Sequence, residues 1–200
     1  TVPSFADLNI DENASYLHIT PNETIGGLEF DELPDTQVPI VADLSSTILS
    51  RKIDVSKYGL IYAGAQKNIG PAGVVVVIIR KDLLARSQDS LPTTWNFAKI
   101  AENGSMVNTP PTYSIYLANL VFEWLLEQGG VEAIEEVNIE KARRLYQKLD
   151  SSRLFSNGID ANYRSRMNIP FTLADESLEK AFLAESEAAG LKTLAGHRSV

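Results

Sequence analysis

The run Val74-Val75-Val76-Val77-Ile78-Ile79 constrains this chain more than any other segment. It is apolar without alternation and much shorter than the roughly 20 residues of a membrane span. A strand of that kind is expected to be buried on both faces, as in sheets that carry helices on each side. Two more strand-length apolar runs precede it, Val38-Pro39-Ile40-Val41-Ala42 and Leu60-Ile61-Tyr62-Ala63-Gly64-Ala65-Gln66. The first part of the chain therefore reads as α/β.

The remaining elements follow from periodicity and punctuation. Tyr16-Leu17-His18-Ile19-Thr20 reads as a strand ending in a polar turn at Pro21-Asn22, and residues 26–37 read as a loop. Residues 81–110 are expected to be mostly irregular, with a helical turn near Asp82-Leu83-Leu84. A long helix is expected from Pro111 or Thr112 to about Gln128, with Ile115, Leu117, Leu120, Val121, Trp124 and Leu125 at helical spacing and Gly129-Gly130 as its stop. From Val131 to about Leu149 runs a charged amphipathic helix, Glu-rich early and Lys/Arg-rich late, as the helix dipole favours. Met167 to Leu173 reads as a strand, and Ala174-Asp175-Glu176-Ser177 starts a helix that ends at Gly190. The change of character at Gly129-Gly130 divides the chain into domains of residues 1–130 and 131–200.

Composition narrows the functional classes. The chain has 200 residues, 44% of them hydrophobic, enough for a real core. A net charge of -8 argues against nucleic-acid binding, which needs clustered Lys and Arg. No apolar run reaches membrane length, so no membrane partner is expected. The chain has no cysteine, so disulfides and thiolate metal sites are impossible, and no metal is expected. A cytoplasmic globular protein fits these features.

Lys67 and Asp43 carry the chemistry. Lys67 follows an apolar strand and is that strand's only cation, and ammonium groups are seldom buried without a task. One such task is attack on a carbonyl by a desolvated amine. Asp43 ends the preceding strand. A lysine to hold an aldehyde and an acid to hold a pyridinium nitrogen are the pair that pyridoxal phosphate needs. The plainer readings are a surface lysine at a strand end and an acid that caps the next segment through Ser45 and Ser46. His18, in an apolar strand, reads as a satisfied core histidine. Gly64, Gly70 and Gly73 form no phosphate-binding fingerprint and read as sites of close backbone approach and turning.

The blocks Ala42 to Arg51 and Tyr62 to Gly73 resemble phosphoserine aminotransferases. So do Pro21-Asn22-Glu23-Thr24, Asn103 to Thr112, Arg164 to Phe171 and Gly196-His197-Arg198. They stand in that family's order and spacing and cover nearly the whole chain. The resemblance implies a fold-type-I pyridoxal-phosphate-dependent transferase, with a mostly parallel sheet flanked by helices and then a small α/β C-terminal domain. It implies a class V aminotransferase that moves an amino group between phosphoserine and 2-oxoglutarate, in serine biosynthesis. Some members also act on phosphohydroxythreonine in pyridoxine biosynthesis. It further implies a homodimer, and an internal piece of the enzyme that would not transaminate by itself.

By the same resemblance, Lys67 and Asp43 are catalytic, and Thr24 and Gln66 contact the cofactor. Asn108 and Thr109 reach across a dimer interface to the cofactor phosphate of the other subunit. His197 and Arg198 bind the substrate phosphate. Asn108, Thr109 and Thr112 can also be read as caps of the following helix. Arg164 and Arg166 are expected to be structural, paired with acids. Other readings are a cysteine desulfurase or alanine–glyoxylate transaminase, a non-catalytic fragment that only dimerises, and a Schiff-base aldolase. The first usually has a histidine or other residue where this chain has Gln66, and the last predicts eight βα repeats that the sequence lacks.

Overall fold

The computed structural model describes residues 2, 4, 5 and 8–196. The chain forms two compact units. One gathers the described residues from 4 to 21 together with Glu32–Glu135, and the other gathers Val2, Asn22–Asp31 and the described chain from Glu136 onwards. The dividing line thus falls between Glu135 and Glu136, a few residues beyond Gly129-Gly130, and the short segment Asn22–Asp31 belongs with the C-terminal unit.

The first unit is built on a four-stranded sheet in the order β1 (Leu17–Ile19), β4 (Ile40–Asp43), β5 (Leu60–Gly64), β6 (Val75–Ile79). β1, β4 and β5 run parallel, with His18 opposite Val41 and Asp43 opposite Tyr62. β6 returns antiparallel to β5. The sheet is therefore mostly parallel, as expected. Strand alternation sorts its faces. Ile40, Ala42, Ile61 and Ala63 point to one side and form the core with Leu44, Ile48, Tyr58, Ile69 and Ala118. Full burial of a side chain like Ile61 stabilises by about 1.5–3 kcal/mol. Val41, Asp43, Tyr62 and Gly64 lie on the other face, which is only half-buried.

The apolar run departs from expectation. β6 is an edge strand of the sheet, and Val75, Val77 and Ile78 are exposed. Its antiparallel pairing uses one edge only, and no described element covers its outer side chains. β5 stops at Gly64, so Lys67 sits in the following turn and is exposed, not in a buried strand.

Two short helices follow, α1 (Lys81–Leu84) and α2 (Phe97–Glu102). The second lies in a stretch read as irregular. Its start is fixed by Asn96, buried, whose Oδ1 accepts from Lys99 N at 3.1 Å and whose Nδ2 donates to Gln88 O at 3.1 Å. That is an N-cap. α3 (Thr112–Glu127) matches the periodic reading and ends as Gly129 and Gly130 turn to φ 96° and 80°. Ala118 and Leu125 are its buried residues, while Tyr113, Ile115, Tyr116, Trp124 and Leu126 are exposed. A helix apolar all round is one that is covered on more than one side.

The second unit pairs β2 (Asn22–Glu23) with β3 (Leu28–Glu29) and contains most of α4 (Gly130–Ser151). Antiparallel β7 (Phe155–Ser156) and β8 (Thr172–Leu173) are followed by α5 (Glu179–Ala188). Only the last two residues of the stretch Met167–Leu173 are strand. Ala142, Tyr146 and Leu149 of α4 pack on Phe155, Ile169 and Phe171. Phe155, Phe171 and Phe182 meet edge to face, with centroids 5.2–6.1 Å apart.

Tyr146 donates its hydroxyl to Ser165 O at 2.9 Å and lies under the Arg164 guanidinium, 4.7 Å from the ring centroid. Burial, chiefly, pushes its pKa up to about 12. A pKa raised on folding gives stability that is whole below the unfolded value near 10 and is lost as pH climbs through 12. Denaturant titrations between pH 9 and 12 are expected to show this alkaline loss in the wild-type protein and a shallower one in Tyr146→Phe. Parallel curves would refute the assignment.

Candidate functional site

Parallel neighbours deliver their C-terminal ends to one sheet edge, and here β4 delivers Asp43 while β5 leads into Lys67. Asp43 is half-buried. Its Oδ1 accepts from the backbone N of Ser45 at 2.9 Å and from the Ser45 hydroxyl at 2.6 Å. The same hydroxyl accepts from Gly64 N at 3.0 Å. One serine thus ties the carboxylate to the ends of both strands. The capping alternative for Asp43 is realised through Ser45, and it orients the carboxylate without hiding it.

Lys67 sits in a single helical turn. Ile69 N and Gly70 N both donate to Ala65 O, at 3.2 and 2.8 Å. Ala65 and Ile69 face the core at 0% and 1% exposure, so Gln66 and Lys67 face outwards. Asn68 Nδ2 donates to Ile48 O at 2.6 Å and pins this turn to the loop that follows Asp43. Gln66 folds back over the end of β5, where a Cβ on Gly64 would stand 2.6 Å from its Oε1. The turn also rests on α3. A Cβ on Gly70 would meet Ala118 Cα at 3.4 Å, and Ser114 Oγ donates to Ala72 O at 3.0 Å just before Gly73 takes φ +109°.

Two side chains beyond the expected set share the half-buried face. Tyr62 stands opposite Asp43, and burial first, then the Asp43 carboxylate, raises its pKa. His18 Nε2 lies 3.1 Å from the Tyr62 hydroxyl. His18 is satisfied, as expected, but it is exposed and not in the core.

Asn108 and Thr109 lie exposed in the segment before α3. They do not cap it. Pro111 holds the cap position without a side-chain bond, and Asn108 Nδ2 donates instead to Thr109 O at 3.2 Å. An uncapped helix start and two polar side chains beside it are compatible with an anion.

Thr24 belongs to the second unit, in the turn between β2 and β3. The Glu23 carboxylate shapes this turn by accepting from the backbone N of Ile25 and of Gly26. Below it Asn22, 1% exposed, donates to Asn168 Oδ1 at 2.7 Å and accepts from Ser165 Oγ at 2.5 Å. Ser165 Oγ in turn accepts from Met167 N and Asn168 N at 3.1 and 3.0 Å. Arg164 is bidentate to Asp150 at 2.7 and 2.9 Å, and Arg166 reaches Glu29 and Asp31, so both pair with acids as expected. The block Arg164–Asn168 thus braces Thr24, a role that sequence reading missed. The signal was the shared presence of Asn22 and Asn168, which only the fold brings together. His197 and Arg198 lie outside the described residues.

Among the described residues there is no helix long and apolar enough to cross a membrane and no His/Cys/Asp/Glu group that could hold a metal ion.

The sequence matches the family model "Aminotransferase class-V" over residues 3–200. It is 74% identical over 200 residues to a phosphoserine aminotransferase of Marinomonas sp. (strain MWYL1), across 100% of this chain and 56% of that relative. Its fold superimposes on phosphoserine aminotransferase from Bacillus circulans subsp. alkalophilus with a TM-score of 0.96 at 47% identity, covering 100% of this chain and 56% of that one. A PLP-bound phosphoserine aminotransferase from Trichomonas vaginalis gives a TM-score of 0.94 at 42% identity, covering 100% and 57%. The chain spans little more than half the length of the curated relatives it matches.

Proposed function

Because the chain belongs to the class V aminotransferase family, and has the α/β fold of its pyridoxal-phosphate-dependent members, we propose that it is the lysine-bearing part of a phosphoserine aminotransferase. The reaction moves an amino group between phosphoserine and 2-oxoglutarate, with glutamate as the other product, in serine biosynthesis. Phosphohydroxythreonine, on the route to pyridoxine, is a second substrate. The protein works in the cytoplasm as a homodimer, with small molecules as its other partners. The observation that carries this reading is the single sheet edge at which β4 presents a braced carboxylate and β5 leads into an outward-facing lysine.

The residues present fit pyridoxal phosphate. Asp43 keeps a half-buried carboxylate whose Oδ1 is already oriented by Ser45, suited to a ring N–H donor. Lys67 offers an accessible amine on a turn that the core and Asn68 hold still. Pyridoxal phosphate, when bound, supplies an aldehyde for an amine and a ring that accepts electrons. Lys67 would hold the aldehyde carbon through Nζ, and its amine would move a proton at the substrate Cα. Asp43 would face the ring nitrogen and favour its protonated form. By the family resemblance, the Thr24 hydroxyl and the Gln66 amide would contact ring substituents, and Asn108 and Thr109 would serve the phosphate of the cofactor in the partner subunit. His197 and Arg198 bind the substrate phosphate, Arg198 as a charged fork.

In the complete protein, incubation with phosphoserine and 2-oxoglutarate is expected to yield glutamate. No glutamate above the uncatalysed rate would refute the reading. Arg198→Ala is expected to cost phosphoserine turnover about 1.5–3 kcal/mol, the worth of a charge-assisted contact, with cofactor content unchanged. Equal turnover by wild type and mutant would remove phosphate recognition from this position.

A further inference from the structure

Three strands place three polar side chains on one sheet face. Asp43 ends β4, Tyr62 stands opposite it on β5, and His18 enters from β1 on the far side of β4. Neighbouring strands lie roughly 4.8 Å apart, so a residue on β1 meets one on β5 only if both side chains are long. His18 and Tyr62 do meet. Their rings lie 6.0 Å apart at 33°, and Nε2 stands 3.1 Å from the hydroxyl. No apolar cluster explains this contact, because His18 is exposed and Tyr62 is on the half-buried face.

We propose that Tyr62, backed by His18, is a positioning residue that fixes and polarises the Asp43 carboxylate against the ring nitrogen of the cofactor. The inference rests on the reading of the site as a pyridoxal-phosphate site. Ser45 already loads Oδ1 from the β4 side. Tyr62 approaches from the β5 side, so the carboxylate is held by two arms. Tyr62 has one proton and a carboxylate can only accept. A phenol kept in its protonated form gives that proton to Asp43 and leaves its lone pairs for His18. His18 is then the Nε2–H donor. The hydrogen bonds run in one direction, from imidazole to phenol to carboxylate, and each polarises the next.

The test uses the complete holoenzyme loaded with pyridoxal phosphate labelled with nitrogen-15 in the ring. Its readouts are the ring-nitrogen resonance and the cofactor dissociation constant. Tyr62→Phe removes one donor and makes the carboxylate more basic. The resonance is expected to move toward that of unprotonated pyridine, and cofactor binding to weaken by roughly tenfold, the size of one such bond. His18→Leu is expected to shift the resonance the same way by less, and His18→Gln, which retains an N–H donor on a side chain of similar reach, to restore it. A fluorinated tyrosine at position 62 donates more strongly at nearly the same shape, so it is expected to move the resonance the opposite way. That arm also decides the matter if Tyr62→Phe fails to fold. Coincident resonances in wild type, Tyr62→Phe and the fluorinated protein would overturn the proposal. A shift with Tyr62→Phe but none with His18→Leu would overturn the part given to His18. A wild-type protein that holds no labelled cofactor would instead overturn the reading of the site.

Discussion

Lys67→Ala in the complete enzyme is expected to abolish covalent retention of pyridoxal phosphate and to lower transamination by roughly 10^2–10^4-fold from the lost proton transfer alone. The fold is expected to survive, because Lys67 is exposed on a turn held by Ala65, Ile69 and Asn68. Borohydride reduction followed by peptide mapping of the wild-type protein checks the same point directly. The pyridoxyl group is expected on Lys67. An adduct on Lys52, Lys57 or Lys81 would overturn the assignment. The Lys52 ammonium is engaged with Glu132 at 2.7 Å.

Asp43→Asn is the second large effect. The amide oxygen can still accept from Ser45 N and Ser45 Oγ, so the local geometry is kept while the charge is removed. On the proposed reading, what is lost is an oriented anion that would face the ring nitrogen. Losing one pre-organised electrostatic partner of this kind is expected to lower the turnover number by about 10^2–10^3-fold. Turnover of phosphoserine within twofold of wild type, with the cofactor still bound, would remove Asp43 from the chemistry. Thermal unfolding of the apo-protein separates the cases, because a structural role would lower the melting temperature and an electrostatic one would leave it nearly unchanged.

The strands that carry the site were legible because they are short, apolar and end in charged or polar residues. Val38 to Asp43 and Leu60 to Gly64 could be read directly, and so could the long helix closed by Gly129-Gly130. The edge position of β6 was not legible. A continuous apolar run fits burial on both faces whether its cover comes from nearby chain or from elsewhere, and composition does not distinguish these. α2 was hidden because six residues show too little periodicity, although Asn96 was a cap in plain view. Within the site, Asp43 and Lys67 stood out by type and position, and Gln66 only through the family resemblance. Ser45, Tyr62 and Asn68 did not, because a serine after an acid, a tyrosine in a strand and an asparagine after a lysine are ordinary alone. Their contacts depend on register, which joins Asp43 to Tyr62, and on a loop that brings Asn68 to Ile48. Asn22 and Ser165 were hidden in the same way by a sequence separation of 143.

That separation has a consequence for how the protein is made. Asn22 emerges from the ribosome long before Ser165 and Asn168, so its amide must wait for both partners. The sheet of the first unit can pair from residues up to Ile79, but the bonds of Asn22 to Ser165 and Asn168 beneath the turn that carries Thr24 cannot form until residue 168 has been synthesised. Such a discontinuous unit closes late, and contacts of long sequence separation are slow to form. A nascent chain halted between these two points would therefore carry a formed lysine turn while the turn that carries Thr24 still lacks these bonds, so the two units mature at different times.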